Sequence, residues 1–257
     1  MRLNVYTPLQ QAIGSFEGGR ITEQKPIGFP HEQEAVKRVG PLFYWAWAHA
    51  KEGGSIGLHP HKGFEIMTYV VNGLVAHGDT LGTESTVGVG GAQVMQTGSG
   101  VSHREKITGP DAELFQIWFE PDLNEAVKRV PTYHEFMADD FPLTSIGSAQ
   151  VKTILGEGSP VQLVTDAQMW DIVLQPDSEY VHTIPEGYSM AALAIRGNGE
   201  LSMPVETGGV ASFDHKDFAV IESVDRAETI RLTSEQFGLR VIAIQLPTQV
   251  EYPLYQR

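Results

Sequence analysis

His59 and His61 stand one residue apart, and a second polar pair, His103 and Glu105, repeats that spacing further along the chain. On an extended strand, residues i and i+2 face the same way, so each pair presents two donor groups to one side. Three imidazoles and one carboxylate converging from neighbouring strands form a donor set suited to Fe, Mn, Ni, Cu or Zn. The carboxylate offsets charge on a divalent ion, and neutral imidazoles hold the ion without filling every coordination position. Burying four such groups with nothing between them is expensive. Pro60, between the first two histidines, argues instead for a turn, so the first pair alone is a weak signal; the second pair strengthens it. Glu65 lies four residues after His61 and shares its parity if the strand is unbroken. Spacing therefore leaves Glu65 and Glu105 both open as the carboxylate ligand. His77 reads as a hairpin residue. His31, His49, His134, His182 and His215 have no partner at ligand spacing and read as surface or hydrogen-bonded structural residues.

The elements that must carry these residues read as strands. Phe64–Val71, Glu113–Phe119, Trp170–Gln175, Met190–Ile195 and Leu239–Leu246 are short apolar runs punctuated by Gly, Pro, Asn and Asp, the pattern of a β-barrel or sandwich. "NGLVAHGDTLG" (Asn72–Gly82) predicts two hairpin turns flanking a short strand. Helix is scarce: "DLNEAVKRV" (Asp122–Val130) is the best candidate, capped by Asp122, and "HEFMADDF" (His134–Phe141) predicts one more turn. The polar stretch 122–147 divides the chain. "VVNGLVAHGD" before it and "AIRGNGELSMP" after it share one pattern of strand, glycine turn and strand, which hints at two β-domains of one design.

Bulk properties narrow the setting. The 257-residue chain carries no cysteine, which excludes disulfides, thiolate metal sites and a cysteine nucleophile. That fits a reducing compartment, and cytoplasmic location is the expectation. The start shows no basic-then-apolar leader pattern, and no apolar run is long enough to span a membrane. With 18 Lys plus Arg against 32 Asp plus Glu, the net charge of −14 disfavours nucleic acid and anionic membrane surfaces as partners.

"HPHKGFEIMTYVVNG", "HGDTLG" and "VMQTGSGVSHRE" resemble the metal-binding half of pirin-like proteins, of the cupin superfamily. The resemblance is dense over 57–105 and weaker through "VKRVPTYHEF" and the second half. It implies an all-β fold of two cupin-type jelly-roll barrels in tandem, joined by a short, partly helical linker. The expected division is 1–121 for an N-terminal metal-binding domain, 122–147 for the linker and 148–257 for a metal-free C-terminal domain. Carried over by motif, the ligands are His59, His61, His103 and Glu105. Many other cupins use a glutamate four residues beyond the second histidine, here Glu65; the "SHRE" match favours Glu105 and leaves Glu65 supporting an imidazole. The resemblance implies one divalent ion per chain, Fe(II) first, with Mn, Ni, Cu or Zn open. The second half has no His-x-His, so the ion is expected in the first barrel alone.

The implied activity is that of a quercetin 2,3-dioxygenase, acting on flavonols with Glu105 as proton acceptor. Phe43, Trp45, Trp47 and Met95 are candidate walls for a flat ligand, each weighed against a plain core role. The alternative is a redox-sensitive metalloprotein that binds protein partners without turnover; a third is a stress-related metalloprotein with neither role. Family members usually carry "PFLLLDEF" where this chain has "GPLFYWAWAHA", and "GPFVMNT" near the end, which is missing here. These departures mark a divergent member whose pocket mouth differs.

Overall fold

The computed structural model describes residues 2–204, 209–222 and 226–255. Strands dominate because β-branched and aromatic residues recur in short apolar runs, and they assemble into two nine-stranded antiparallel sheets. In the first, the order is Thr132–Phe136, Ala92–Gln96, Glu65–Asp79, Val101–Phe119, Leu42–Ala50, Ile21–Ile27 and Ala12–Phe16. Gly54–His61 pairs beside Val101–Phe119, and Glu84–Gly88 beside Glu65–Asp79.

The second sheet repeats this plan strand for strand: Arg2–Tyr6, Phe218–Glu222, Tyr188–Ser202, Glu228–Pro247, Gln168–Leu174, Ala149–Leu155 and Leu143–Ile146. Glu179–Ile184 and Val210–Phe213 take the two side positions. The weak pattern shared by the two halves of the sequence is thus a shared topology. Sheet membership crosses the boundaries drawn along the chain. Arg2–Tyr6 edges the second sheet, and Thr132–Phe136, from the connecting stretch, takes the same place in the first.

Three local expectations are corrected. Asn72–Gly73 is no hairpin turn: Glu65–Asp79 runs through it as one strand with register shifts at Asn72. Gly73 sits at φ +83, where a Cβ would lie 2.7 Å from the Thr108 carbonyl oxygen, so the strand bulges at this point and continues. Among the described residues, α-helix is confined to Leu123–Ala126, where the Asp122 carboxylate accepts from the Asn124 N–H. Part of "HEFMADDF" is strand, Thr132–Phe136, because it completes the sheet edge, and only Ala138–Asp140 forms a helical turn.

The largest apolar cluster lies between the two sheets. Trp45, Trp47, Met67, Tyr69, Phe115 and Ile117 from the first meet Leu193, Phe218, Ile242 and Ile244 from the second. A buried polar triad crosses this seam. Tyr69 Oη donates to Asp171 Oδ2 at 2.7 Å, and Arg240 donates to the same carboxylate through Nε at 2.9 Å and Nη2 at 2.6 Å. Tyr69→Phe removes one donor and leaves the ion pair, so it is expected to cost about 1–2 kcal/mol in denaturant unfolding. An unchanged midpoint would show that the bond adds nothing across the seam.

Candidate metal centre

Gly54–His61 pairs with the start of Val101–Phe119 so that His59 lies opposite His103, with a register shift between Ile56 and His59. Across the other side of Val101–Phe119, His103 lies opposite Asp79 and Glu105 opposite His77. Alternation then sends His59, His61 and His103 to one point, with donor atoms of all three within 4.8 Å of one another. His59 Nε2 and His103 Nε2 are 3.0 Å apart, and the ring centroids of His59 and His61 are separated by 4.7 Å.

The donor chemistry fits a transition metal. His59 Nδ1 donates to the Gly57 carbonyl at 2.8 Å, which leaves the lone pair on Nε2, facing the cluster. His61 Nε2 is buried without a hydrogen bond. Burial, then the charges His59 and His61 would carry, push His103 down to about 2. Burial, then His59, push His61 down to about 4. Both rings are therefore neutral at ordinary pH and keep a lone pair for a Lewis acid.

Glu105 lines the same cavity but stands outside the tight imidazole cluster. Its Oε1 accepts from Thr68 Oγ1 at 3.3 Å, Gln93 Nε2 at 3.1 Å and Gln116 Nε2 at 2.7 Å, whereas Oε2 has Gln116 Nε2 alone, at 2.7 Å. Thr68 pairs with both Gln93 and Gln116, so these donors form one row across three strands. Burial pushes the Glu105 carboxyl up to about 7 against these hydrogen bonds. The row was missed in the sequence, although a signal was there: single polar residues interrupt the apolar runs "EIMTYVV", "AQVMQ" and "LFQIWF".

Glu65 is corrected from a role beside an imidazole. It accepts from the Val164 N–H at 2.7 Å, the Thr165 N–H at 2.9 Å and Gln96 Nε2 at 2.7 Å, and so ties the first sheet to a loop of the second half. His77 is corrected too. It is buried inside the long strand, bonded through Nε2 to Asp79 Oδ2 at 2.9 Å and stacked on Tyr133 at 4.1 Å.

The cavity in front of the histidines measures about 320 Å³ and is walled by Phe16, Phe29, Tyr44, Ile56 and Trp118. Of the expected walls, Trp45 and Trp47 point the other way along Leu42–Ala50 and are fully buried in the seam. Met95 packs with Ile66 and Val101. Phe43 packs edge-on against Trp118 at 6.0 Å and so backs the wall rather than forming it. Alternation explains the exchange: with Trp45 and Trp47 outside, Tyr44 faces in.

In the second sheet, the same topological places are filled differently. His182 pairs with Ile230 as His59 pairs with His103, and Ile184 pairs with Glu228 as His61 pairs with Val101. Leu232 then stands where Glu105 would. One imidazole remains, and its Nε2 is spent on Gln245 Oε1 at 2.8 Å.

Residues 38–119 match the family model described as Pirin. Over that stretch, about a third of the chain, the sequence is pirin-like. The chain is 33% identical over 161 residues to pirin-like protein 2 of Arabidopsis thaliana, a match covering 60% of the chain and 47% of the relative. It is 29% identical over 148 residues to a protein of Escherichia coli K12 named quercetin 2,3-dioxygenase, covering 57% and 61%. The matched stretch thus spans about half the length of the plant relative. The structure of a bacterial pirin from Escherichia coli, in complex with nickel(II), superposes with a TM-score of 0.73 over 95% of this chain and 99% of that one, at 22% identity. At that identity the likeness establishes the fold, two cupin barrels in tandem. Among the described residues, no helix is long and apolar enough to cross a membrane.

Proposed function

We propose that this protein is a metal-dependent dioxygenase acting on flavonols such as quercetin, with Fe(II) held by His59, His61, His103 and Glu105 in the first barrel. The observation that carries this reading is the convergence of three imidazoles at the base of a cavity with flat aromatic walls. The name of the Escherichia coli relative supports the substrate class. When bound, the ion would supply Lewis-acid and one-electron chemistry toward a deprotonated hydroxyl and dioxygen.

The chain's own residues do the rest. Tyr44 and Trp118, tilted at 31° with centroids 4.4 Å apart, leave apolar faces for a fused ring system. Phe29 covers that wall, 4.8 Å from Tyr44, and its backbone N–H donates to Glu32 Oε2 at 2.6 Å. Glu105 offers Oε2 to the ion while Gln93, Gln116 and Thr68 hold Oε1, and it accepts the proton of an arriving hydroxyl.

Glu105→Ala is expected to weaken metal binding roughly tenfold or more, about 1.4 kcal/mol, because the one anionic donor is lost. Competition with a chelating dye measures it, and unchanged affinity would remove Glu105 from the ligand set. The activity is tested by dioxygen uptake with quercetin, comparing metal-replete protein with a His103→Ala variant and with buffer free of metal. Uptake confined to the metal-replete wild type is the expected result. No uptake above the variant would overturn the enzyme reading and favour a metal-containing regulator without turnover.

A further inference from the structure

The cavity holds a second carboxylate that the metal does not need. Glu23, on Ile21–Ile27, lines the same cavity as Glu105 and the three histidines, yet is 6% exposed. Its Oε1 has Tyr44 Oη as donor at 3.5 Å, the outer limit of a hydrogen bond. Its Oε2 makes no hydrogen bond. Lys25 Nζ lies 3.5 Å from that oxygen as a long ion-pair contact, while its short contact is with Glu32 Oε1 at 2.5 Å and it sits 5.0 Å above the Phe29 ring. A buried carboxylate oxygen without a donor is costly, and a structural role would be met by the Lys25–Glu32 pair alone. The remaining lining near it is Phe16, Phe29, Tyr44, Ile56 and Trp118, which supplies the Tyr44 hydroxyl and the Trp118 indole N–H, and that N–H bonds to nothing in the protein. The missing donor is therefore one that the cavity's occupant would bring. An ammonium group is a poor candidate, because Lys25 already takes the cationic place over Phe29. A neutral hydroxyl on an aromatic ring matches both the walls and the oxygen.

We propose that Glu23 is a specificity-determining residue whose Oε2 accepts a hydrogen bond from a ring hydroxyl of the bound molecule, so that the cavity selects polyhydroxylated aromatics over their methyl ethers. The proposal rests on the flavonol reading above. A site built to accept from a hydroxyl rejects the analogue lacking it, since the buried acceptor is then left unpaired.

The test is anaerobic equilibrium binding, by quenching of tryptophan fluorescence, of quercetin and each of its mono-O-methyl ethers to metal-replete protein. Wild type, Glu23→Leu and Glu23→Gln are compared, with metal content measured in each. In wild type, at least one ether is expected to bind roughly tenfold more weakly than quercetin. In Glu23→Leu that penalty falls to about twofold or less, with metal content unchanged, and the ether whose penalty vanishes names the hydroxyl. Glu23→Gln keeps an acceptor and the side-chain shape; a penalty reduced to roughly threefold supports the proposal should the leucine variant fold poorly. Quercetin binding with every ether penalty unchanged in both variants overturns the role of Glu23 alone. No binding of any flavonol to the metal-replete wild type overturns the flavonol reading and this proposal together.

Discussion

In a His103→Ala protein, metal affinity is expected to fall by on the order of 100-fold or more, roughly 2.7 kcal/mol, and quercetin-dependent dioxygen uptake to fall to buffer level. The reason is positional. His59 and His61 come from one strand, whereas His103 is the imidazole brought by its partner, directly opposite His59. Without it the remaining imidazoles hold an ion from one strand and only the proposed ligand Glu105 reaches it from the other, next to a buried void. The fold should survive, because His103 Nδ1 makes no hydrogen bond and, among the described residues, its Nε2 contacts His59 Nε2 within the cluster rather than anchoring another element. Elemental analysis and a thermal melt on the same sample check both halves. Full metal retention would place the centre elsewhere.

The second large effect is on stability rather than chemistry. Glu65→Ala leaves the Val164 and Thr165 N–H groups and Gln96 Nε2 without their acceptor in a partly buried seam. With each stranded donor costing roughly 1–3 kcal/mol and some recovered by relaxation, a loss of about 3–5 kcal/mol is expected in denaturant unfolding. Metal content should stay at the wild-type level. Metal loss with intact stability would return Glu65 to the ligand set used by other cupins. The contrast with Glu105 is sharp because both are buried carboxylates on the same sheet, one facing the cavity and one the second half.

Much of this was legible in the residues, and the failures have physical causes. The His59, His61 and His103 convergence follows from the two-residue period of a strand, so local spacing sufficed. The choice between Glu65 and Glu105 did not follow, because parity places both plausibly. What separates them is a tertiary contact, the loop at Val164 and Thr165, some hundred residues away in the chain. The cavity walls failed for a similar reason. Trp45 and Trp47 alternate with Tyr44 and Ala46 on one strand, and nothing local says which face meets the second barrel. That face took the tryptophans because a second sheet, with Phe218 at 5.7 Å from Trp45, was there to bury them. Asn72–Gly73 misled because its composition suits a hairpin turn equally well as a bulge; the length of the partner strand, Val101–Phe119, decided for the bulge. The duplicated topology was hinted at by a glycine pattern only, since the second sheet has replaced polar site residues with Ile184, Ile230 and Leu232.

The most direct measurement is the metal-to-chain ratio of purified protein by elemental analysis, taken for the wild type and for a His59→Ala/His61→Ala variant. The expected result is about one equivalent of a first-row transition metal in the wild type and roughly none in the variant. Two tightly held equivalents, or one that survives the double substitution, would contradict a single centre in the first barrel.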